Sequence, residues 1–293
     1  MKFNLTYLGP SHLFECRGDI FMPLALSLQE LGHHVDISHQ LVQHNAINVI
    51  FGAYFLGSEE QLQLLNSGTR YINFNTEILA DDGLNHNPGK TDLFGAYLPF
   101  MQGGIATWDA LDSNIHWLRS KSSQEKEKIA KFSWGYLPSL DYIQQSIDPC
   151  YDAYIYSLMS GRRKAFIQRL LEKGLKLKIN QYCPQFLRDF AIQNSKCVLQ
   201  INQDDKYNHF APTRTWLSSN NGIPSIVEKA HDPDDYIGLA YGSFSDAEQC
   251  IELVTYLSKN TKTRIEEKDK AREKLKSRPW MKDIVARVLD ESL

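Results

Sequence analysis

A cation lies where a short helix is predicted to begin in the segment 209–228. Arg214 is placed in the first turn of this helix, and Gly222 and Pro224 mark its end. Thr213 is expected to cap the helix, because its hydroxyl can accept one of the backbone N–H groups that the first turn leaves unbonded. The helix dipole repels a cation at this end but attracts a phosphate. Arg214 therefore either lies in an ordinary surface turn or shares the helix end with a bound anion.

The spacing Arg-x7-Gly-x-Pro-x3-Glu runs from Arg214 to Glu228. It resembles the C-terminal donor-site motif of the GT-B glycosyltransferases, most of all that of the CgeB-like bacterial proteins. The resemblance implies that Arg214 helps to hold a nucleoside diphosphate, with Thr215 beside it, and that Glu228 contacts the sugar or the ribose. Leu217 departs from the motif, because many retaining relatives have an acidic residue there. The resemblance therefore does not extend to a mechanism that needs a pair of acids.

A second predicted helix, over 162–173, also begins with cations. The residues Ser160, Gly161, Arg162 and Arg163 follow a predicted strand, and Ser160 is expected to cap the helix. A diphosphate at this helix end would accept hydrogen bonds from backbone N–H groups and from a guanidinium. The resemblance covers this loop, where relatives have a turn of small residues followed by Arg. We predict that Ser160, Gly161 and Arg163 bind the donor; the alternative is a pair of exposed surface arginines.

Two further loops follow predicted strands of the same half of the chain. Tyr182, in the loop 181–185, either stacks on a nucleotide base or belongs to the core. His209, in the loop 204–212, either reaches the pyrophosphate or sugar as a catalytic group or is an ordinary loop residue. Both loops are expected at the carboxyl ends of parallel strands, where doubly wound sheets bind their ligands.

An inverting transfer needs a general base within hydrogen-bond reach of the acceptor hydroxyl. In the first half of the chain Asp19, Glu77 and His12 are the candidates, and we favour Asp19 or Glu77. Asp19 follows Gly18 just ahead of a predicted helix, so capping is its alternative role. Glu77 follows an apolar strand, where an acid is unusual unless it is paired or lines a site.

No metal is required if the resemblance holds, because GT-B enzymes neutralise the leaving diphosphate with helix ends and basic side chains. A nucleoside-diphosphate sugar is then the donor substrate, and no further cofactor is expected. The D-x-D sequence at 232–234 matches the metal motif of GT-A transferases, but it follows the strand that ends at Glu228 and is interpreted as a surface turn. Five scattered cysteines without C-x-x-C spacing argue against a zinc site.

Alternating strands and helices predict an α/β fold with parallel sheets. A helix is predicted over 108–119, for example, and a buried strand over 47–55. The resemblance implies two Rossmann-like domains facing a cleft, which is the GT-B architecture. The expected parts are an acceptor domain over 1–140, a donor domain over 150–260, and a helical segment over 261–293 that crosses back to the first domain.

Composition and charge argue against a membrane-spanning protein and against a nucleic-acid acceptor. The chain has 293 residues, 42% of them hydrophobic, and no apolar run approaches the ~20 residues that cross a membrane. The N-terminus lacks a signal-peptide core, so a cytoplasmic location is expected. Residues 1–120 carry 5 Lys and Arg against 12 Asp and Glu, a balance of −7. This half would repel a nucleic-acid backbone, so nucleic acid is a disfavoured acceptor.

The leading interpretation is a glycosyltransferase whose acceptor is a glycan, a lipid-linked precursor, a protein or a small molecule. A sugar-nucleotide epimerase or hydrolase of GT-B fold would need the same phosphate-binding loops. A non-catalytic protein that binds nucleotide sugars is the third possibility, because Leu217 replaces an acid and no base is unmistakable. Release of nucleoside diphosphate, a changed sugar, or binding without turnover would distinguish the three.

Overall fold

The computed structural model describes residues 1–84, 91–121, 128–205, 209–230 and 235–293; the predicted turn at 232–234 lies outside them. The chain divides into two compact units. The first unit is Met1–Ser133 together with Met281–Leu293, and the second unit is Trp134–Trp280.

The first unit is built on a parallel sheet of six strands with helices between them. The strands of the sheet are β1 (Lys2–Tyr7), β2 (His34–His39), β3 (Ile47–Phe51), β4 (Tyr71–Asn75), β7 (Ala106–Asp109) and β8 (Ile129–Lys131). Between β4 and β7 the chain forms a separate antiparallel hairpin of β5 (Leu79–Ala80) and β6 (Gly83–Leu84). Its helices are α1 (Ser11–Phe14), α2 (Gly18–Glu30), α3 (Ser58–Asn66), α4 (Leu98–Gly103) and α5 (Asp112–Lys121).

The strand order in this sheet is β2-β1-β3-β4-β7-β8, and all neighbouring strands are parallel. The chain direction across the sheet reverses between β1 and β3. In doubly wound folds such a reversal opens a crevice beyond the carboxyl ends of the two strands. All five residues of β3 are buried, because helices cover both faces of a parallel sheet.

The helix predicted over 108–119 begins later than expected. Trp108 and Asp109 belong to β7, which pairs with β4 on one side and β8 on the other, and α5 starts at Asp112. Trp108 is fully buried. Pairing with two neighbouring strands outweighs the local helical pattern here, since sheet hydrogen bonds connect residues that are distant in sequence.

The second unit repeats the architecture with five strands. They are β9 (Ala153–Tyr156), β10 (Leu177–Asn180), β11 (Val198–Gln200), β12 (Ser225–Glu228) and β13 (Gly242–Phe244), and its helices are α6 (Gly161–Glu172), α7 (Gln185–Gln193), α8 (Pro212–Asn220), α9 (Ala247–Lys259) and α10 (Thr261–Lys276). The order β10-β9-β11-β12-β13 is parallel throughout, and the reversal lies between β9 and β11.

The helix α8 begins one residue before the expected cap. Ala211 is at the N-cap and Pro212 at the first helical position, so Thr213 lies inside the helix and the predicted capping role is wrong. Proline suits this position because its missing N–H would have no partner there. The end of α8 agrees with the prediction, since Gly222 has a φ of +63° and terminates the helix.

The first unit's main segment ends at Ser133, before the end at 140 that was expected for the first domain. Asn220 Oδ1 accepts from the backbone N–H of Leu137 at 2.9 Å, and Asn220 Nδ2 donates to the carbonyl of Leu137 at 3.0 Å. Asn221 Oδ1 accepts from the backbone N–H groups of Tyr142 and Ile143 at 2.9 and 2.7 Å. These two buried amides, at the end of α8, bind residues 137–143 to the second unit.

The last helix, α11 (Met281–Asp290), returns to the first unit and packs on α2. Trp108 Nε1 donates to Ser292 Oγ at 2.9 Å. The returning segment starts at Met281, whereas it was expected to start at 261. The helix α10 stays in the second unit, where it packs on α8 and where Arg272 binds Asp141, with a distance of 2.8 Å between Nη2 and Oδ1. Within the described ranges, no helix combines the length and apolarity needed to cross a bilayer.

Candidate functional site

The loops after β9 and β11 are joined at the reversal point of the second sheet. Ser160 caps α6 as predicted, because its Oγ accepts from the backbone N–H of Arg163 at 3.2 Å. The same hydroxyl donates to the carbonyl of Gln203, in the loop after β11, at 2.6 Å. Gly161 opens α6, and an added Cβ there would meet nothing within 4 Å. The backbone of this helix end therefore faces open space.

Arg162 and Glu228 form a two-point ion pair across the carboxyl edge of this sheet. Arg162 Nη1 lies 3.0 Å from Glu228 Oε2, and Nη2 contacts Oε1. The backbone N–H of Asn202 also donates to Oε2, at 2.7 Å. Arg162 Nε donates to the exposed Asp205 at 3.0 Å. Glu228, which the resemblance assigns to the sugar or ribose, is buried and has both oxygens engaged within the protein.

Arg163 is buried and holds the main chain. Its Nε donates to the carbonyl of Ile201 at 2.8 Å, and its Nη1 donates to the carbonyl of Leu158 at 2.7 Å. The pKa of Arg163 is lowered to about 9, chiefly by burial and then by the positive charges of Arg214 and Arg162. Two of the N–H groups of Arg163 thus fix the loops after β9 and β11.

Tyr156, the last residue of β9, is the centre of a cluster of cations. The Arg214 guanidinium lies 5.5 Å from the centroid of its ring, and the guanidinium of Arg188 lies 5.8 Å from it. Tyr154 stacks on Tyr156 from the same face of the sheet, with 5.4 Å between ring centroids. Cations are attracted to the faces of aromatic rings at such distances.

Tyr156 and Arg188 were not predicted as site residues. Arg188 comes from α7 and is only 2% exposed. It occupies the buried side of that helix together with Ala191 and Ile192, three and four residues further on. This periodicity is visible in the sequence, and a cation on the inward face of a helix is a signal that could have identified Arg188.

The side chain of Thr215 is not accessible to a ligand. The residue is fully buried, and its Oγ1 lies 2.5 Å from the side-chain amide of Gln200 in β11. The prediction that Thr215 contacts the donor is corrected accordingly. Leu217 is also buried, so the position at which relatives have an acid faces the interior here.

Two predicted residues lie on loops near the same sheet edge. Tyr182 follows β10, the neighbour of β9, and its side chain is 47% exposed. His209 lies half-buried in the loop between β11 and α8. Their roles toward a base and a sugar stay predictions.

In the first unit, Glu77 lies beyond the end of β4 and is paired. The hydroxyl of Tyr54 donates to Glu77 Oε1 at 2.7 Å, and Arg17 Nη2 lies 3.8 Å from the same oxygen. Asp19 lies in the first turn of α2, where its charge also acts on Arg17. Both favoured bases thus belong to the surroundings of Arg17, whereas His12 is exposed on α1.

A buried polar network fixes the main chain at Glu77. The side-chain amides of Asn75 and Asn114 both donate to the carbonyl of Glu77, at 2.7 and 2.8 Å. Both also donate to Asp109 Oδ2, at 2.6 and 2.9 Å, while the backbone N–H of Leu111 donates to Oδ1 at 2.8 Å. Asp109 ends β7, next to β4, so three segments of the first unit hold Glu77.

Several solved structures are similar to the chain over nearly its whole length. WaaG, described as a glycosyltransferase involved in lipopolysaccharide biosynthesis, has a TM-score of 0.57 at 12% identity, with 99% of each chain covered. An α-glucosyltransferase in complex with UDP has a TM-score of 0.54 at 10% identity, again with 99% of each chain covered. UDP-GlcNAc 2-epimerase from Neisseria meningitidis, bound to UDP-GlcNAc, has a TM-score of 0.55 at 9% identity and the same coverage.

At identities of 9 to 12%, the similarity between this chain and these structures concerns the fold alone. No protein-family model matches the sequence, and comparison with curated proteins finds no match. The CgeB-like subtype stays a prediction. Two Rossmann-like parallel sheets and a C-terminal helix that returns to the first unit give this chain the GT-B fold.

Proposed function

We propose that the chain is a glycosyltransferase that moves a sugar from a nucleoside diphosphate to a hydroxyl or amine of an acceptor. The single observation that carries the proposal is the gathering of like charges at the reversal point of the second sheet. The guanidinium groups of Arg214 and Arg188 lie 5.5 and 5.8 Å from the centroid of the Tyr156 ring, and Arg162 and Arg163 are in the first turn of α6, whose N-terminal end is open. Such an arrangement is stabilised when an anion binds, and a diphosphate fits it.

In this proposal Arg214 and the backbone N–H groups at the start of α6 bind the diphosphate, and Arg162 contributes charge while Glu228 fixes its orientation. Tyr182 is the residue proposed to stack on the base. The negative charge that develops on the leaving diphosphate is neutralised by these groups, so the proposal includes no metal ion.

Glu77 is proposed as the general base, with Asp19 and His209 as the alternatives. The acceptor oxygen attacks the anomeric carbon, the bond from that carbon to the diphosphate breaks, and the acceptor proton passes to the Glu77 carboxylate. The hydroxyl of Tyr54 and the charge of Arg17 orient that carboxylate.

The test is turnover of a panel of nucleotide sugars, with UDP, GDP, ADP and dTDP as the nucleotides, in the presence of EDTA. Each is offered alone and with mixtures of glycan, lipid-linked, peptide and small hydroxyl acceptors. We expect release of one nucleoside diphosphate that depends on an acceptor. Glu77→Gln should abolish this release while leaving the affinity for the nucleoside diphosphate unchanged.

The epimerase or hydrolase alternative is supported by a specific observation, because an epimerase is among the proteins that share the fold. It predicts a changed or freed sugar without any acceptor. A binding protein would hold the nucleotide sugar without consuming it. Either result, or the absence of nucleotide binding altogether, would refute the transferase.

A further inference from the structure

The helix α7 of the second unit, all of which the structure describes, has an exposed face that is apolar and uncharged. Its exposed residues are Phe186, Leu187, Phe190 and Gln193. Phe186 is 70% exposed, and Phe190, one turn later on the same side of the helix, is 62% exposed. Single apolar side chains are common on protein surfaces, but a contiguous group of them marks an interaction site.

The two charged residues of α7 are turned away from this face. Arg188 is on the buried side of the helix, and its Nε lies 3.4 Å from Asp189 Oδ1. The other carboxylate oxygen of Asp189 accepts from the hydroxyl of Tyr142 at 2.6 Å. The exposed side of α6, in the same unit, is by contrast charged, with Lys164, Arg169 and Glu172.

The segment 142–147 lies beside α7 and extends its apolar surface. At the start of the helix, Gln185 Nε2 donates to the hydroxyl of Tyr142 at 2.7 Å. At its end, the backbone N–H of Ser146 donates to the carbonyl of Gln193 at 2.8 Å. Tyr142 is 47% exposed, and Ile147 is fully exposed. The α7 patch is defined by its five apolar residues, Tyr142, Ile147, Phe186, Leu187 and Phe190.

The area of the α7 patch equals one side of a small protein interface. Its five residues are between 47 and 100% exposed. If a large side chain has about 200 Å² of surface, the patch presents roughly 600 Å² to solvent. This is the upper end of the range for the largest apolar patch of a typical monomer, about 300–600 Å². Two such patches face to face would bury about 1,200 Å², the lower end of the range for specific interfaces.

We propose that the α7 patch is the contact between two copies of this chain, which pair about a two-fold axis with their α7 helices antiparallel. A two-fold interface brings a surface against itself, so an uncharged surface pairs without repulsion between like charges. Gln144 and Gln193 are exposed beside the patch, and each amide has a donor and an acceptor with which it can bond to the same amide of the other copy. Antiparallel helices also bring opposite ends of their dipoles together. The inference is independent of the proposed function.

The charge pattern disfavours a membrane surface as the occupant. Helices that lie on a bilayer carry Lys and Arg beside their apolar face, because these cations are attracted to anionic lipids. In the described residues 142–148 and 185–193, the only exposed charge is that of Asp148. An anionic lipid surface would therefore gain no attraction from this part of the unit.

Sedimentation equilibrium of the full chain measures self-association at about 1 to 100 μM, the range expected for an interface of this size. We expect a monomer–dimer equilibrium in wild type. Phe186→Lys with Phe190→Lys should weaken the dimer at least about tenfold, because each substitution occurs twice in a two-fold dimer. Leu187→Lys is the second variant if this double variant fails to fold, as judged by circular dichroism. Tyr256→Lys, at a 51% exposed aromatic of α9, is the control and should leave the equilibrium unaltered.

A mixing experiment tests whether the patch contacts its own copy. Phe186→Glu with Phe190→Glu should also be monomeric alone, but equal amounts of the glutamate and lysine variants should form a mixed dimer through opposite charges. A wild type that stays monomeric over the whole range would overturn the inference. So would a dimer that the lysine variant leaves intact, or a mixture that stays monomeric. Sedimentation with vesicles of neutral and of anionic phospholipid is the last arm: binding by monomeric wild type that the glutamate variant loses would assign the patch to a membrane instead.

Discussion

Arg162 and Glu228 form a two-point ion pair that spans the carboxyl ends of three neighbouring strands in the second sheet. Arg162 follows β9, Glu228 ends β12, and β11 lies between them. Glu228 is 4% exposed, and the backbone N–H of Asn202, beyond β11, donates to the same carboxylate. The pair thus joins the loops at the proposed diphosphate site before any ligand binds, and it holds Arg162 in one orientation.

Glu228→Gln should destabilise the second unit by about 2 kcal/mol, because it removes the buried partner of a partly buried guanidinium and leaves that guanidinium only the exposed carboxylate of Asp205. A double-mutant cycle with Arg162→Met, followed by urea unfolding, isolates the interaction, and we expect a coupling energy of about 1–2 kcal/mol. If the stability effects of the two substitutions are strictly additive, the interaction between Arg162 and Glu228 does not stabilise the protein. Arg169→Met with Glu248→Gln, an exposed ion pair between α6 and α9, is the control and should show coupling below about 1 kcal/mol.

Arg214→Ala should weaken nucleoside diphosphate binding by about 2–3 kcal/mol, roughly 30- to 150-fold, if its guanidinium makes a charge-assisted phosphate contact. Isothermal titration calorimetry with the preferred diphosphate measures the change. The control is Arg169→Ala, which removes an exposed cation from the last turn of α6 and should leave the affinity unaltered. Unchanged affinity in Arg214→Ala would remove this residue from the site.

Gly222→Ala should destabilise the protein by about 1–2 kcal/mol. Its φ of +63° is strained for any residue with a side chain, and the new Cβ would lie 2.8 Å from Lys268 Cγ in α10. Gly238→Ala is the matched control, because its Cβ would meet nothing within 4 Å. The free energies of unfolding of the two variants are compared by denaturant unfolding. Equal stability would contradict the conclusion that α8 needs a glycine at position 222 to end.

The free energy of unfolding should fall as the pH rises from about 4 to about 7. Burial raises the pKa of Asp109 to about 7, although hydrogen bonds from Asn75, Leu111 and Asn114 lower it. The folded protein therefore binds a proton on Asp109 in a pH range where the unfolded chain has already released it. Stability is lost with a limiting slope of about 1.4 kcal/mol per pH unit between the two pKa values.

Urea unfolding at several pH values measures this slope, and Asp109→Asn should flatten it whatever its effect on absolute stability. A slope that survives the substitution would assign the pH dependence to other groups. Because Asp109 supports Asn75 and Asn114, which hold the carbonyl of Glu77, the same variant should also lower turnover.

Local features of the sequence determined the elements and several of their ends. Gly222 was predicted to stop a helix, and it has a positive φ angle. Ser160 was predicted to cap α6 and does so. Cap residues and glycines act on atoms within a few positions along the chain, so their effect can be recognised without knowing the fold.

The tertiary structure decided which side chains meet. Arg162 binds Glu228 across 66 positions of sequence, Arg17 lies beside Glu77, and Arg188 of α7 reaches Tyr156. These contacts depend on the order and register of the strands, which bring the carboxyl ends of separate segments to one edge of a sheet. The motif identified the region of the proposed donor site. Only the strand order determined that Glu228 forms an ion pair with Arg162 and that Thr215 is buried.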